Sequence, residues 1–271
     1  MLSYTKIIFF IFLIAVVSCK NNSSESTEIN ASDVPLINYS VVNIFPHDTA
    51  LFTEGLTFRD GKLYESSGAP DEIPYTNSVV GTDDLQTGKF DKKISIDKTK
   101  YFGEGIVFLG NKLYQLTYTN QIGFIYDAKS FKKIDSFNLP NREGWAFTTD
   151  GKYLIMDDSS NHLTYLNPSN FKPAKVLNVT RNGVAQDSLN ELEFIKGYIY
   201  ANIWYRNEIV KIDTSDGKIV GKLDLSSLVN EALMKHPDAN VLNGIAYDSV
   251  NDKIYVTGKL WQNIYQINFP H

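Results

Sequence analysis

The side chains best suited to chemistry recur at regular intervals along the chain. Five similar segments carry a carboxyl or amide group at the same place, in Glu54, Glu104, Glu143, Asn190 and Asn243. Carboxyl groups can move protons, and burial beside other carboxyl groups raises their pKa. The repeat therefore predicts a polar centre in which at least one glutamate has a raised pKa and exchanges protons near neutral pH.

The segments around these residues predict the fold. The first two read Phe52-Thr-Glu-Gly-Leu-Thr-Phe58 and Phe102-Gly-Glu-Gly-Ile-Val-Phe108, and each continues through a tight turn into an aromatic-rich strand. Successive copies start 39 to 53 residues apart, which is the spacing of propeller blades. We predict an all-β, five-bladed β-propeller, closed by an N-terminal strand at residues 39–45 that completes the last blade. Residues 226–236, before Pro237, are predicted to form a helix between blades 4 and 5.

The first strand of each blade lines the channel of a propeller, so the five polar residues are expected to form a ring there. A second ring is expected where each second strand ends, at Gly68, Tyr118, Asp158, Trp204 and Lys259. Phe52, Phe102 and Trp145 add aromatic walls. The residues alone leave open whether this centre does acid–base chemistry or holds structural water or a cation. Taken singly, tryptophans such as Trp145 and Trp204 are more often core residues than walls of a substrate pocket.

Charge and motif content exclude several classes of function. The net charge is −5 and no basic cluster exceeds a lysine pair, so we expect no nucleic-acid partner. The four histidines lack metal-ligand spacing and there is one cysteine, so no zinc site is expected. Phosphate-binding and dinucleotide-binding glycine loops are also absent from the sequence.

The N-terminal segment indicates export. Residues 7–17 form an apolar run after Lys6, too short to span a bilayer but suited to a signal peptide. Cys19, the only cysteine, follows Ser18 where a bacterial lipobox places the acylated thiol, although Val16 replaces the usual leucine. We therefore expect a lipoprotein signal peptide (1–18), a lipidated Cys19 with a flexible tether (19–35) and the propeller (36–271). The expected location is the cell envelope, with Cys19 in the lipid bilayer; an ordinary secretory signal is the alternative.

In combination, nine motifs resemble the plant and bacterial glutaminyl-peptide cyclotransferases, which are five-bladed propellers. They occur in order between residues 41 and 269, at 52–56, 63–68, 102–105, 113–117, 143–145, 189–193, 201–204, 242–246 and 256–259. The resemblance implies conversion of N-terminal glutaminyl residues of peptides or proteins to pyroglutamate, with release of ammonia. It also implies that neither a cofactor nor a metal takes part.

The resemblance assigns roles to individual residues. Glu104 is the expected acid–base group, while Asn190 and Lys259 are expected to hydrogen-bond the side-chain amide and the charge on its oxygen. Phe52, Phe102, Trp145 and Trp204 match the pocket walls of the family.

Two positions depart from the family pattern, since Glu54 and Tyr118 stand where the family often has Gln and Trp. Both are still expected to contact the substrate, but they put the substrate preference of this protein in doubt.

The competing hypothesis is a propeller that binds a ligand or protein without turnover; a metal-dependent hydrolase has less support. We expect a monomer, because a closed propeller protects its sheet edges.

Overall fold

The computed structural model describes residues 34–271. The predicted signal peptide, Cys19 and the predicted tether up to residue 33 lie outside the described residues. Val34 is buried, and Leu36 forms a parallel bridge with Lys222 in blade 4. The packed chain thus includes two residues before the predicted boundary at Leu36.

The described chain forms five four-stranded sheets, one short hairpin and one helix. Blade 1 contains β2 (Phe52–Arg59), β3 (Lys62–Gly68), β4 (Val79–Asp83) and β5 (Phe90–Ser95). Blade 2 contains β6 (Gly103–Leu109), β7 (Lys112–Thr117), β8 (Ile122–Asp127) and β9 (Lys133–Asn138). Blade 3 contains β10 (Phe147–Thr149), β11 (Leu154–Met156), β12 (His162–Leu166) and β13 (Pro173–Asn178).

A hairpin of β14 (Thr180–Arg181) and β15 (Val184–Ala185) follows, which the sequence did not predict. Blade 4 contains β16 (Leu189–Ile195), β17 (Tyr198–Ile203), β18 (Glu208–Asp213) and β19 (Ile219–Asp224). Helix α1 (Ser226–Lys235) connects it to blade 5, with His236 as the C-cap, so the predicted helix is present. Blade 5 contains β20 (Leu242–Asp248), β21 (Lys253–Gly258), β22 (Asn263–Asn268) and β1 (Ser40–Pro46).

The N-terminal strand closes the ring as predicted. Strand β1 pairs antiparallel with β22, with Val41 opposite Ile267. The inner strands β2, β6, β10, β16 and β20 contact one another in that order, and β20 contacts β2. The five-bladed propeller is therefore confirmed. Within residues 34–271, no helix has the length and apolarity needed to cross a membrane.

The glycine that follows Glu104 is required by the contact between inner strands. A Cβ atom on Gly105 would lie 2.6 Å from the backbone nitrogen of Phe147 in the next blade. Real Cβ atoms do not approach backbone this closely, so a larger residue would force the two strands apart. The Glu-Gly motif therefore places a carboxyl group toward the channel while allowing backbone-to-backbone packing beside it.

Blade 4 has a glutamate where blade 2 has Gly105. The Glu191 carboxylate accepts hydrogen bonds from the Leu56 nitrogen (3.1 Å) and the Ile245 nitrogen (2.7 Å). These donors belong to the inner strands of blades 1 and 5, so one buried side chain connects three blades. It gives partners to two backbone groups that would otherwise be costly to bury.

The predicted ring is wrong in blade 3. Phe147 pairs with Met156 as Leu56 pairs with Glu65, which places Trp145, not Glu143, at the position of Glu54. The hairpins of the two blades are equally long, with eight residues between these paired positions in each, so the Glu-Gly pair of blade 3 matches the motif in residue type but not in its distance from the turn. The motif therefore sits two residues earlier relative to the sheet than its sequence alignment indicates.

We predict that Glu191→Ala lowers the free energy of unfolding by about 2–6 kcal/mol, since two buried N–H groups lose their acceptor. The free energy of unfolding of Glu191→Gln should lie between those of Glu191→Ala and the wild type, because one side-chain oxygen remains. Urea denaturation followed by circular dichroism measures the change. Asp71→Ala, at an exposed loop position, should change it by less than about 0.5 kcal/mol. An equal effect of the two alanine variants would contradict the role of Glu191.

Candidate active site

A pocket of about 330 Å³ opens at the end of the channel where the inner strands begin. Eight of the nine predicted site residues line it: Phe52, Glu54, Phe102, Glu104, Tyr118, Trp145, Trp204 and Lys259. The ninth, Asn190, is buried but does not line the pocket. Its Oδ1 atom has no hydrogen-bond partner among the described residues.

The aromatic residues form a continuous wall. Ring centroids are 6.4 Å apart for Phe52 and Phe102, 6.0 Å for Phe102 and Tyr118, and 5.9 Å for Tyr118 and Trp145. Trp145 and Trp204 continue the series at 5.2 Å, and all four contacts are edge-to-face, a favoured geometry for aromatic pairs. The wall is thus fixed by contacts between its own members.

Gly68, in the second predicted ring, makes room for this wall. A Cβ atom there would lie 2.3 Å from the Phe102 ring, so only glycine leaves space for that ring. Asp158, from the same ring, is not part of the pocket: its carboxylate accepts a hydrogen bond from Asn141 Nδ2 at 2.6 Å. Three of the five predicted members therefore line the pocket.

Lys259 and Glu54 form a buried ion pair at the base of the pocket. Lys259 Nζ donates to Glu54 Oε2 at 2.6 Å and lies 4.5 Å from the centre of the Phe52 ring. Burial raises the pKa of Glu54 to about 7, although the positive charge and hydrogen bond of Lys259 oppose this rise. An ammonium group has three donors, and among the described residues only Glu54 accepts from Lys259. Two donors are left for a bound substrate.

Glu104 is a buried carboxyl group of the pocket without a counter-ion. It is 4% exposed, and its Oε2 atom has no hydrogen-bond partner within residues 34–271. Burial raises its pKa well above the usual value, and the negative charge of Glu54 adds to this effect, while Lys259 partly opposes it. The expectation that a channel glutamate has a raised pKa agrees with this environment.

Glu143 holds the wall in place. Its Oε2 atom accepts a hydrogen bond from Trp145 Nε1 at 3.0 Å, which fixes the orientation of the indole ring. The carboxyl group predicted for the channel ring instead orients an aromatic side chain of the pocket.

Sequence reasoning missed five residues that line the pocket: Pro70, Glu72, Tyr205, Asn240 and Val241. They lie in loops outside the repeated motif, so the repeat gave no signal for them. A signal existed only for Tyr205, which directly follows Trp204 of the second ring.

The other end of the channel has a pocket of about 420 Å³ that includes Glu193. Burial raises the pKa of Glu193 to about 8. However, its carboxylate accepts hydrogen bonds from the Tyr247 nitrogen at 3.0 Å and from the Thr148 hydroxyl at 3.4 Å. Its oxygens are therefore occupied, in contrast to Glu104 Oε2.

One group of metal-ligating side chains is found in the described part of the chain: His47, Glu65 and Asp83 have ligand-type atoms within 4.8 Å of one another. His47 Nδ1 lies 2.7 Å from the Trp261 carbonyl and Nε2 lies 2.7 Å from Glu65 Oε2. Burial lowers the pKa of His47, but the charge and hydrogen bond of Glu65 outweigh it and raise the value to about 9. Both nitrogens therefore donate, and the geometry fits a buried ion pair between blades 1 and 5 better than a metal site.

Comparisons with known proteins agree with the fold. The chain is 39% identical over 230 residues to the glutaminyl-peptide cyclotransferase of Arabidopsis thaliana, covering 84% of this chain and 70% of the relative. The crystal structure of Myxococcus xanthus glutaminyl cyclase matches with a TM-score of 0.77 and 28% identity, covering 88% of this chain and 98% of that one. The profile of the glutamine cyclotransferase family matches residues 11–269. The chain therefore belongs to the glutamine cyclotransferase family.

Proposed function

We propose that this protein converts N-terminal glutaminyl residues of peptides or proteins to pyroglutamate and releases ammonia, by general acid–base catalysis without a metal. The observation that carries the proposal is Glu104, a buried carboxyl group with an unpartnered oxygen in an aromatic-walled pocket. Family membership supports the reaction, and the environment of Glu104 supports the mechanism.

The reaction requires one proton to move between two nitrogens. The α-amino nitrogen forms a bond to the side-chain amide carbon, and the bond from that carbon to the amide nitrogen breaks. The attacking nitrogen loses a proton and the leaving nitrogen gains one, so ammonia departs and the proton balance is zero. Glu104 takes the first proton as a carboxylate and delivers it as a carboxylic acid, and its raised pKa suits it to the second step.

Lys259 stabilises the negative charge that develops on the amide oxygen. Its two unused N–H donors are available to that oxygen, and preorganised donors of this kind stabilise a transition state strongly in a buried site. Glu54 holds the ammonium group in place from the other side. Asn190 lies outside the pocket lining, so its proposed contact with the side-chain amide requires the substrate to reach beyond the pocket.

The aromatic wall gives the substrate its shape. Phe52, Phe102 and Trp145 leave a narrow space in which the glutaminyl side chain folds back toward its own amine. The entropy needed to bring the two reacting atoms together is lost when the substrate binds, so the barrier to cyclisation itself is lower. Tyr118 and Trp204 complete the wall toward solvent.

We further propose that the protein is exported and attached to a membrane of the cell envelope through lipid on Cys19. The apolar run at residues 7–17 and the position of Cys19 after Ser18 support this proposal. The substrates would then be exported peptides or proteins. We also propose that the protein acts as a monomer.

We predict that Glu104→Gln lowers kcat for ammonia release from a glutaminyl dipeptide by about 10²–10⁴-fold with little change in KM, because the acid–base group is lost. Glu193→Gln, at the opposite end of the channel, is the matched control and should retain activity. A chelator should leave wild-type turnover unaffected. Loss of turnover in the presence of the chelator would contradict the metal-free mechanism. A folded wild-type protein without turnover would favour the ligand-binding propeller instead.

We predict that Glu54→Gln shifts the pH dependence of kcat/KM. Glu54 raises the pKa of Glu104, so removing its charge, which also frees Lys259, lowers that pKa. The limb of the pH profile that belongs to Glu104 should move to lower pH, while the limb set by the substrate amine stays in place. Glu193→Gln should move neither limb. A shift of the Glu104 limb to higher pH would contradict the electrostatic coupling.

We predict that the full-length protein, expressed in a bacterium supplied with labelled palmitate, incorporates the label and sediments with membranes. Cys19→Ala should abolish labelling, because the thiol is the site of acylation. Ser18→Ala keeps a small residue before the cysteine and should leave labelling unchanged. Labelling that persists in Cys19→Ala would overturn the assignment.

A further inference from the structure

The pocket has a buried base and an exposed mouth. Glu54, Glu104 and Lys259 are at most 6% exposed, whereas Trp204 is 38% and Tyr205 73% exposed. Glu72 is also exposed. If the glutaminyl residue reacts at Glu104, as proposed above, its peptide chain continues in the C-terminal direction only. The second residue of the substrate then lies at the mouth.

Tyr205 is placed at the mouth at a conformational cost. Its φ is 57°, in the left-handed region, which glycine and asparagine adopt more readily than an aromatic residue. Leu260, the corresponding residue of blade 5, has a φ of 61°, so the turn itself imposes this conformation. The fold therefore does not require tyrosine here, and packing does not explain a ring that is mostly in solvent. Its ring instead lies 4.6 Å from that of Trp204, at a tilt of 43°.

Glu72 brings an unpaired charge to the same mouth. It lies in the loop between β3 and β4, where Lys98 Nζ donates to the carbonyls of Pro74 (2.9 Å) and Thr76 (2.8 Å). The Ile73 nitrogen also donates to the Pro70 carbonyl at 3.0 Å, so the loop backbone is held in place. The Glu72 carboxylate makes no hydrogen bond or ion pair with any residue from 34 to 271.

The charges around the mouth are unbalanced. The ammonium group of Lys259 is paired with Glu54 inside the pocket, and Glu143 is hydrogen-bonded to Trp145. Arg142 acts on Tyr118 electrostatically but is not part of the pocket lining. Glu72 lines the same pocket as the Trp204 and Tyr205 rings, and a carboxylate and electron-rich ring faces both attract a cation.

We propose that Glu72, Trp204 and Tyr205 form a subsite for the second residue of the substrate and that this subsite prefers a basic side chain, lysine or arginine. The proposal rests on the proposed function, because it takes the first residue to be the glutaminyl residue that cyclises. It makes peptides beginning Gln-Lys or Gln-Arg the favoured substrate class.

The test compares ammonia release from Gln-Lys-Ala-amide, Gln-norleucine-Ala-amide and Gln-Glu-Ala-amide. Norleucine matches the length of lysine without its charge. The wild type should show a kcat/KM about fivefold higher for lysine than for norleucine at low salt, the size expected for one exposed ion pair with an aromatic contact. The glutamate peptide should be the poorest, and 0.5 M salt should reduce the differences.

Variants identify the residues responsible. Glu72→Gln should bring the lysine-to-norleucine ratio of kcat/KM close to one. Tyr205→Ala should raise KM for both peptides. Asp71→Asn, an exposed neighbour in the same loop that does not line the pocket, should preserve the wild-type ratio. A wild-type ratio of one, or a ratio unchanged in Glu72→Gln, would overturn the proposal.

Binding separates this proposal from the proposed function. Calorimetry with pyroglutamyl-Lys-Ala-amide and pyroglutamyl-norleucine-Ala-amide requires no turnover. Tighter binding of the lysine peptide, lost in Glu72→Gln, supports the subsite even if ammonia is not released. Equal binding of the two peptides, together with equal turnover, rejects the subsite and leaves the cyclisation itself standing.

Discussion

Backbone-to-backbone packing of the five inner strands is the constraint on which the rest of the structure depends. Gly105 lies against the backbone of the next blade, so neighbouring strands approach too closely for side chains between them. The side chains that remain at the axis are then shielded from water, and burial raises the pKa of Glu104, Asp157 and Glu191. The packing that closes the ring also creates the environment needed for proton transfer.

The buried carboxyl groups have different roles because their partners differ. Glu191 is occupied by two backbone donors and connects blades, whereas Glu54 is paired with Lys259. Glu104 has neither kind of partner for one of its oxygens, and it faces the pocket. Acid–base chemistry at a site with several carboxyl groups depends on such differences in environment. The same reasoning explains why Glu193, which is partly buried and hydrogen-bonded through both oxygens, is not the candidate.

Much of the fold and the pocket could be predicted from the sequence because both follow from one repeat. The blade number, the closing strand and eight pocket residues were all predicted from it. Glu143 was misplaced because the Glu-Gly pair of blade 3 was aligned by residue type, whereas strand pairing places Trp145 at the equivalent position, two residues closer to the turn. Glu72 and Tyr205 were missed because loop conformation, not strand periodicity, brings them to the mouth. The burial of Glu191 and its bonds to two other blades also required the structure.

The pairing of β1 with β22 has a consequence for biosynthesis. Ser40 is opposite Asn268, so the first strand of the propeller has no partner strand until β22 has been synthesised. The last blade cannot close before then, and loop-closure entropy makes contacts of such large sequence separation slow to form. The edge of β1 thus stays without its partner strand while the first four blades are synthesised.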